Sequence, residues 1–120
     1  MRPRIDGTEF GSITIDGLKI EHDVLISLSG EIKKRKKNLS KAVFGTSHTI
    51  SLQEAEYIFE KGTEQLVIGS GQNGMVNLSK EASEYFKKKE VRVDLSPTPK
   101  AVHKWNRATG PTVGLFHVTC

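Results

Sequence analysis

Polar and apolar residues alternate from Ser12 to Ile15, break at Asp16-Gly17, and alternate again from Leu18 to Glu21. Asp-Gly between two alternating runs predicts a hairpin, because both residues tolerate positive φ. Asp23 introduces another strand, Val24 to Leu28, and Ser29-Gly30 turns it into Glu31-Ile-Lys. The first third therefore reads as antiparallel β ribbon. The apolar period then changes. Ser51 and Glu54 fit a capping box, Leu52, Ala55, Ile58 and Phe59 make a helical stripe, and Gly62 is expected to stop it. Leu66 to Gly69 is a short apolar run ending in glycine, the pattern of a buried parallel strand.

Ser79 opens a second helix with Ala82, Tyr85 and Phe86 facing inward, and Lys87 to Lys89 suit its C-terminal end. Val91 to Leu95 is a further strand. Thr98 is read as the N-cap of a third helix, with Pro99 at its first position and Ala101, Val102 and Trp105 buried. Gly110-Pro111 ends this helix, and Val113 to Val118 is the last strand, with Gly114 inside it. Strand and helix alternate through the last two-thirds. That order predicts a sheet with parallel pairings and helices packed on it.

At 120 residues, the chain is expected to form one domain, 1–120, with a core that needs no staples. Hydrophobic residues make up 36% and charged residues 27%, a balance that suits a globular protein. No apolar run approaches the roughly 20 residues needed to span a membrane. The polar opening Met-Arg-Pro-Arg-Ile-Asp lacks the apolar core of a signal peptide, so a cytoplasmic location is expected. The single cysteine, Cys120, leaves no intrachain disulfide or multi-cysteine zinc site. With no recognisable base beside it, no chemistry is expected of it. Net charge is +4, which permits acidic partners without requiring them.

Gly69, Gly71 and Gly74 spell G-x-G-x-x-G, and Asp94 follows at about the spacing of a dinucleotide fingerprint. However, Asn73-Gly74 breaks helix, the next cap is Ser79, and the chain is too short for two mononucleotide halves. A dinucleotide site is therefore not expected. In open α/β sheets ligands bind beyond the carboxyl ends of the strands. That rule gathers Gly69, Ser70, Gly71, Gln72, Ser96 and Thr98 at one edge, with His48 near. Backbone N–H groups converging there suit a small anion; alternatively, the Ser70, Ser96 and Thr98 hydroxyls cap those donors themselves.

The run from Lys33 to Lys37 has no aromatic residue interleaved for base stacking. It is read as a solvated, aggregation-resistant edge rather than a nucleic-acid surface. His22, His103 and His117 show no metal spacing with one another or with Cys120. His48 reads first as a packing or capping residue.

Four segments together resemble one small family. They are Leu66-Val-Ile-Gly-Ser-Gly, Glu84-Tyr-Phe-Lys-Lys, Thr98-x-x-Ala101-Val102-x-x-Trp105-Asn106 and Gly114-Leu-Phe-His-Val-Thr-Cys120. The family contains the adipogenesis-associated proteins with an Mth-type domain, the mitochondrial complex I assembly factor three, and uncharacterised archaeal and bacterial proteins. The closing segment is especially like the adipogenesis-associated branch. The resemblance implies a compact three-layer α/β domain, with a mixed central sheet flanked by helices and an added N-terminal antiparallel β layer. It implies no established enzymatic activity and no cofactor, and its best understood members act in assembly. Gly74 and Trp105 depart from the family pattern, where the third glycine is not kept and a tyrosine precedes the asparagine. No targeting segment of the mitochondrial branch is evident, so a complex I role is not carried over.

Two readings of function compete. One is a non-enzymatic binding or assembly module acting through protein partners. The other is a small enzyme or ligand sensor at the Gly69–Gly71 loop and the Thr98 helix start. A concave pocket lined by the edge residues favours the second, whereas a convex edge with exposed apolar side chains favours the first.

Overall fold

A computed structural model describes residues 2–120. Ten strands and four helices run in the order β1(Ile5–Glu9), β2(Ser12–Ile15), β3(Leu18–Ile20), β4(Val24–Ile26), β5(Ile32–Lys34), α1(Asn38–Phe44), β6(Thr49–Ile50), α2(Leu52–Ile58), β7(Gln65–Ser70), β8(Asn77–Leu78), α3(Lys80–Lys88), β9(Arg92–Ser96), α4(Thr98–Arg107) and β10(Thr112–His117). The central sheet has the order β5-β4-β10-β7-β9. β10, β7 and β9 are parallel, and β4 joins β10 antiparallel.

The sheet is covered on both faces, which is why β7 and β10 are buried along their whole length. On one face Leu25, Leu66, Ile68, Val113 and Leu115 pack with Ala55, Ile58, Ala82 and Phe86 of α2 and α3. On the other, Val24, Ile26, Val67 and Phe116 meet Trp105 of α4 and Ile5, Ile13 and Ile15 of a separate β1-β2-β3 sheet. The fold is therefore α/β with a mixed five-stranded sheet and an added antiparallel N-terminal sheet, as the resemblance implies.

The Asp16-Gly17 hairpin forms with both residues at positive φ, 48° and 79°. Two local expectations are corrected, and two elements, β1 and α1, appear that periodicity does not predict. The N-terminal ribbon is not continuous: β1 to β3 form their own sheet, while β4 and β5 enter the central one. β1 carries no clean alternation, since Asp6 and Gly7 interrupt it at a bulge. α1 has no apolar stripe and no side-chain cap, and Ser40 is its only buried residue, so polar contacts hold a helix that periodicity does not reveal. α2 ends at Ile58 rather than at Gly62. There the chain leaves the helix so that the Glu60 carboxylate accepts the Leu28 N–H at 2.8 Å, tying this corner to the β4–β5 turn.

Candidate functional site

β7, β9 and β10 all end at one edge, where the register sets Gly69 opposite Ser96 and Ser70 opposite His117. Thr98 is buried at this point and is not the helix cap, a role held by Pro97. Its hydroxyl accepts the Gly71 N–H at 2.9 Å and donates to the His117 carbonyl at 2.6 Å. It thus ties the glycine loop to the end of β10. Gln72 N–H donates to the Thr119 carbonyl at 2.7 Å, and the Asn73 and Met75 N–H groups reach the Cys120 backbone oxygen at 3.0 and 3.3 Å.

Gly71 has φ +102°, and a Cβ there would lie 2.2 Å from the Cys120 carbonyl carbon. Glycine is required because the segment that follows β10 approaches this loop. The Gln72 amide donates to Thr8 Oγ1 at 3.0 Å, linking the loop to β1. The Ser70 and Ser96 hydroxyls are buried without a hydrogen-bond partner. By strand alternation they lie on opposite faces of the sheet. His48 stands at 5.5 Å from His117, ring to ring and edge-on.

Sequence reasoning missed the most heavily charged part of this edge. Arg35, in the middle of the basic run, is 4% exposed and not part of a solvated edge; its four lysine neighbours are exposed. Its Nε and Nη2 fork onto Glu54 at 2.7 and 3.0 Å, Nη1 reaches Asp23 at 3.0 Å, and Nη2 also donates to the Ser47 carbonyl at 2.8 Å. The guanidinium makes four bonds here, one pair of them bidentate, where an ammonium has three donors and no fork. Ser51 caps α2 by accepting the Glu54 N–H at 3.1 Å, as its spacing predicts. The Glu54 carboxylate, however, does not return to the Ser51 N–H. It takes Arg35 and the Ser40 hydroxyl instead, and Ser40 Oγ accepts the Ser51 N–H at 2.9 Å.

Asp23 then connects Arg35 to β10. Its Oδ2 accepts from His117 Nδ1 at 2.7 Å, and Oδ1 accepts the Val118 N–H at 2.9 Å. Burial pushes the Asp23 carboxyl up. The His117 hydrogen bond, the Val118 N–H and the His117 and Arg35 charges outweigh burial and hold it below the ordinary aspartate value. For Arg35, burial works against the cation, but the Glu54 and Asp23 bonds and charges raise its pKa.

A depressed folded-state pKa stabilises the fold above the unfolded value, near pH 4, and that stabilisation is lost as pH falls through the folded value. Asp23→Asn cannot titrate. Denaturant midpoints for wild type and Asp23→Asn should therefore differ most at neutral pH and converge below about pH 4. A gap that stays constant down to acid would show that Asp23 is not held ionised by its partners.

Two clefts open on the surface. One of about 590 Å³ runs between α2 and α3, lined by Leu52, Glu56, Glu81, Glu84, Tyr85 and the Lys87-Lys88 pair. Burial, then the Glu56 charge, pushes the Tyr85 hydroxyl up, so it stays a neutral donor. A second cleft of about 250 Å³ opens over Asp23, His117 and Thr119. None of these lining sets includes Gly69, Ser70, Gly71, Gln72, Ser96, Thr98 or His48. Large apolar side chains stand exposed at Phe10, Leu18, Val43, Phe44 and Met75. Among the described residues no helix is long and apolar enough to cross a membrane.

Comparison with known proteins places this geometry among relatives. Conserved hypothetical protein PH1505 from Pyrococcus horikoshii OT3 is 33% identical with a TM-score of 0.88, the match covering 98% of this chain and 99% of that one. A solved protein called MT938 is 27% identical with a TM-score of 0.82, over 98% and 99% of the two chains. A Bordetella pertussis protein described as a Mth938-like domain shares the fold at 14% identity and a TM-score of 0.63, over 97% and 85%. The resemblance to Mth-type proteins is therefore shown. A family model described as "Protein of unknown function (DUF498/DUF598)" matches residues 5–112, and the chain belongs to that family.

Proposed function

We propose that the protein is a cytoplasmic binding module that holds a protein partner across its α2–α3 face. The observation that carries this reading is the open groove of about 590 Å³, with Leu52 and Tyr85 between walls bearing Glu56, Glu81 and Glu84. Tyrosine beside an aliphatic floor is the usual anchor of a protein interface, with charged residues at its rim. A segment with an apolar anchor fits it, carrying a basic group toward Glu56, Glu81 and Glu84 and an acidic group toward Lys87 and Lys88. The polar edge of the sheet, by contrast, spends its loop N–H groups on the segment that follows β10.

Tagged wild type and a Glu81→Lys/Glu84→Lys variant are compared by quantitative capture from the native cell. These two positions are exposed, and since Glu81 lies in the first turn of α3 the variant's melting temperature is measured alongside to establish that it is folded. At least one protein should be depleted about tenfold or more in the variant, the equivalent of about 1.4 kcal/mol. Identical capture by both would rule the groove out as the docking face.

A second reading retains a small anion at Gly69, Ser70, Gly71, Gln72, Ser96 and Thr98, with His48 nearby. The partnerless Ser70 hydroxyl favours it, since it has a donor to offer; the Ser96 hydroxyl, on the opposite face of the sheet, is not available to the same ion. Amide shifts confined to 69–74 and 96–100 during phosphate titration support it, and scattered shifts remove it.

A further inference from the structure

The smaller cleft, about 250 Å³, is independent of the α2–α3 groove and differs from it in chemistry. At its floor Asp23 Oδ2 meets His117 Nδ1 at 2.7 Å, and His117 Nε2 meets Thr119 Oγ1 at 3.1 Å. We propose that this carboxylate–imidazole–hydroxyl line is an acyl-transfer site, with Thr119 as nucleophile toward a small ester that carries its own negative charge.

The tautomer follows from the hydrogen bonds. Asp23 is held ionised, so it only accepts, and the proton of the His117 ring must sit on Nδ1. In the neutral ring, the form this proposal requires, Nε2 turns its lone pair toward the Thr119 hydroxyl, the arrangement that activates a weak nucleophile. The line is rigid at each member. Asp23 is fixed by Arg35 Nη1 and the Val118 N–H, at 3.0 and 2.9 Å. The His48 ring stands edge-on to that of His117 and limits its rotation. The Thr119 carbonyl is held by Gln72 N–H at 2.7 Å. Asp23 and His117 are buried at the cleft floor while Thr119 is partly exposed, so the hydroxyl end is the most accessible. Preorganisation of this kind exceeds what a local Thr–His contact needs.

The rim selects the substrate class. His22, Lys34 and Lys37 are exposed at the mouth, with Glu21 as the one acid among the exposed groups there. The Lys34 and Lys37 charges attract an anion to this mouth. In the first step Thr119 Oγ1 bonds to the ester carbonyl carbon, and its proton passes to His117 Nε2. The carbon–oxygen bond to the leaving group then breaks, and the departing alcohol takes that proton. Water next attacks the threonyl ester and gives a proton to Nε2. The acid departs, and the proton returns to Thr119 Oγ1.

Full-length protein is mixed with 4-acetoxybenzenesulfonate, an anionic ester whose sulfonate cannot reach its own carbonyl, and phenol release, intact mass and the site of any adduct are read together. A burst of one equivalent and one acetyl group on Thr119 are expected. Thr119→Val should abolish both without changing the melting temperature, and Thr119→Ser should restore them. Asp23→Asn, where folded, should slow acylation by about 100-fold. The neutral ester of matched leaving group, 4-acetoxybenzenesulfonamide, should react more slowly. No burst with folded wild type, adducts on lysines only, or an unchanged burst in Thr119→Val would each overturn the proposal.

Discussion

Arg35→Ala lowers the stability of this protein by about 3–5 kcal/mol, measured by urea denaturation at neutral pH. The side chain is 1% exposed and stands between two carboxylates, Glu54 at 2.7 Å and Asp23 at 3.0 Å. Removing it leaves both anions buried without their cation, and that uncompensated charge sets the size of the loss. It also leaves the Ser47 carbonyl without its donor and frees α1, whose one buried residue, Ser40, reaches the core through Glu54. Arg35→Lys is expected to recover little, since an ammonium cannot fork onto Glu54 and still reach Asp23. A loss below about 1 kcal/mol would be the behaviour of a solvated surface pair, and would mean the network is open to water.

Trp105→Ala should cost a comparable amount, about 3–5 kcal/mol, the usual range for deleting a fully buried aromatic side chain. Trp105 has 0% exposure and stands where α4, the central sheet and the N-terminal sheet meet. Its ring is edge-on to Phe116 at 5.9 Å, and Nε1 donates to the Pro3 carbonyl at 2.9 Å. Gly114 makes room for it, since a Cβ there would lie 2.8 Å from the indole. The loss therefore combines an empty volume with a released N-terminal strand. Trp105→Phe keeps an aromatic ring but not the bond to Pro3, and should fall between the two. Near-native denaturant midpoints for Trp105→Ala would show that the two sheets do not depend on this anchor.

Features written in local chemistry were legible in the sequence. The Asp16-Gly17 turn and the Ser51 and Ser79 caps each follow from residues within a few positions, and all are found, whereas the short β8 between the glycine loop and α3 is not visible in the pattern. The parallel pairing of β7 with β9 was legible too, because a helix lies between them. What local pattern could not reveal was any contact whose partners are distant in the chain. Asp23 and His117 meet across 94 positions, and Arg35 and Glu54 across 19. One arginine among four lysines was the available signal, since only it suits a bidentate partner. Thr98 misled for the opposite reason. Its position before Pro99 suits a cap, but its hydroxyl is drawn away by Gly71 and His117, which the sequence places 27 and 19 residues off. The candidate edge was thus placed in outline, with Gly69, Ser70, Gly71, Ser96 and Thr98 gathered at the ends of β7, β9 and α4's start. The charged cluster beside it was not.

The most direct test of the binding-module reading is photo-crosslinking in the native cell. p-Benzoylphenylalanine replaces Tyr85 in the α2–α3 groove, and in a second strain it replaces Lys19, exposed on β3 at the far layer. A discrete crosslinked protein is expected from position 85, missing from position 19 and diminished by Glu81→Lys/Glu84→Lys. Equal labelling from both positions, or no protein adduct from position 85 in a folded variant, would contradict it.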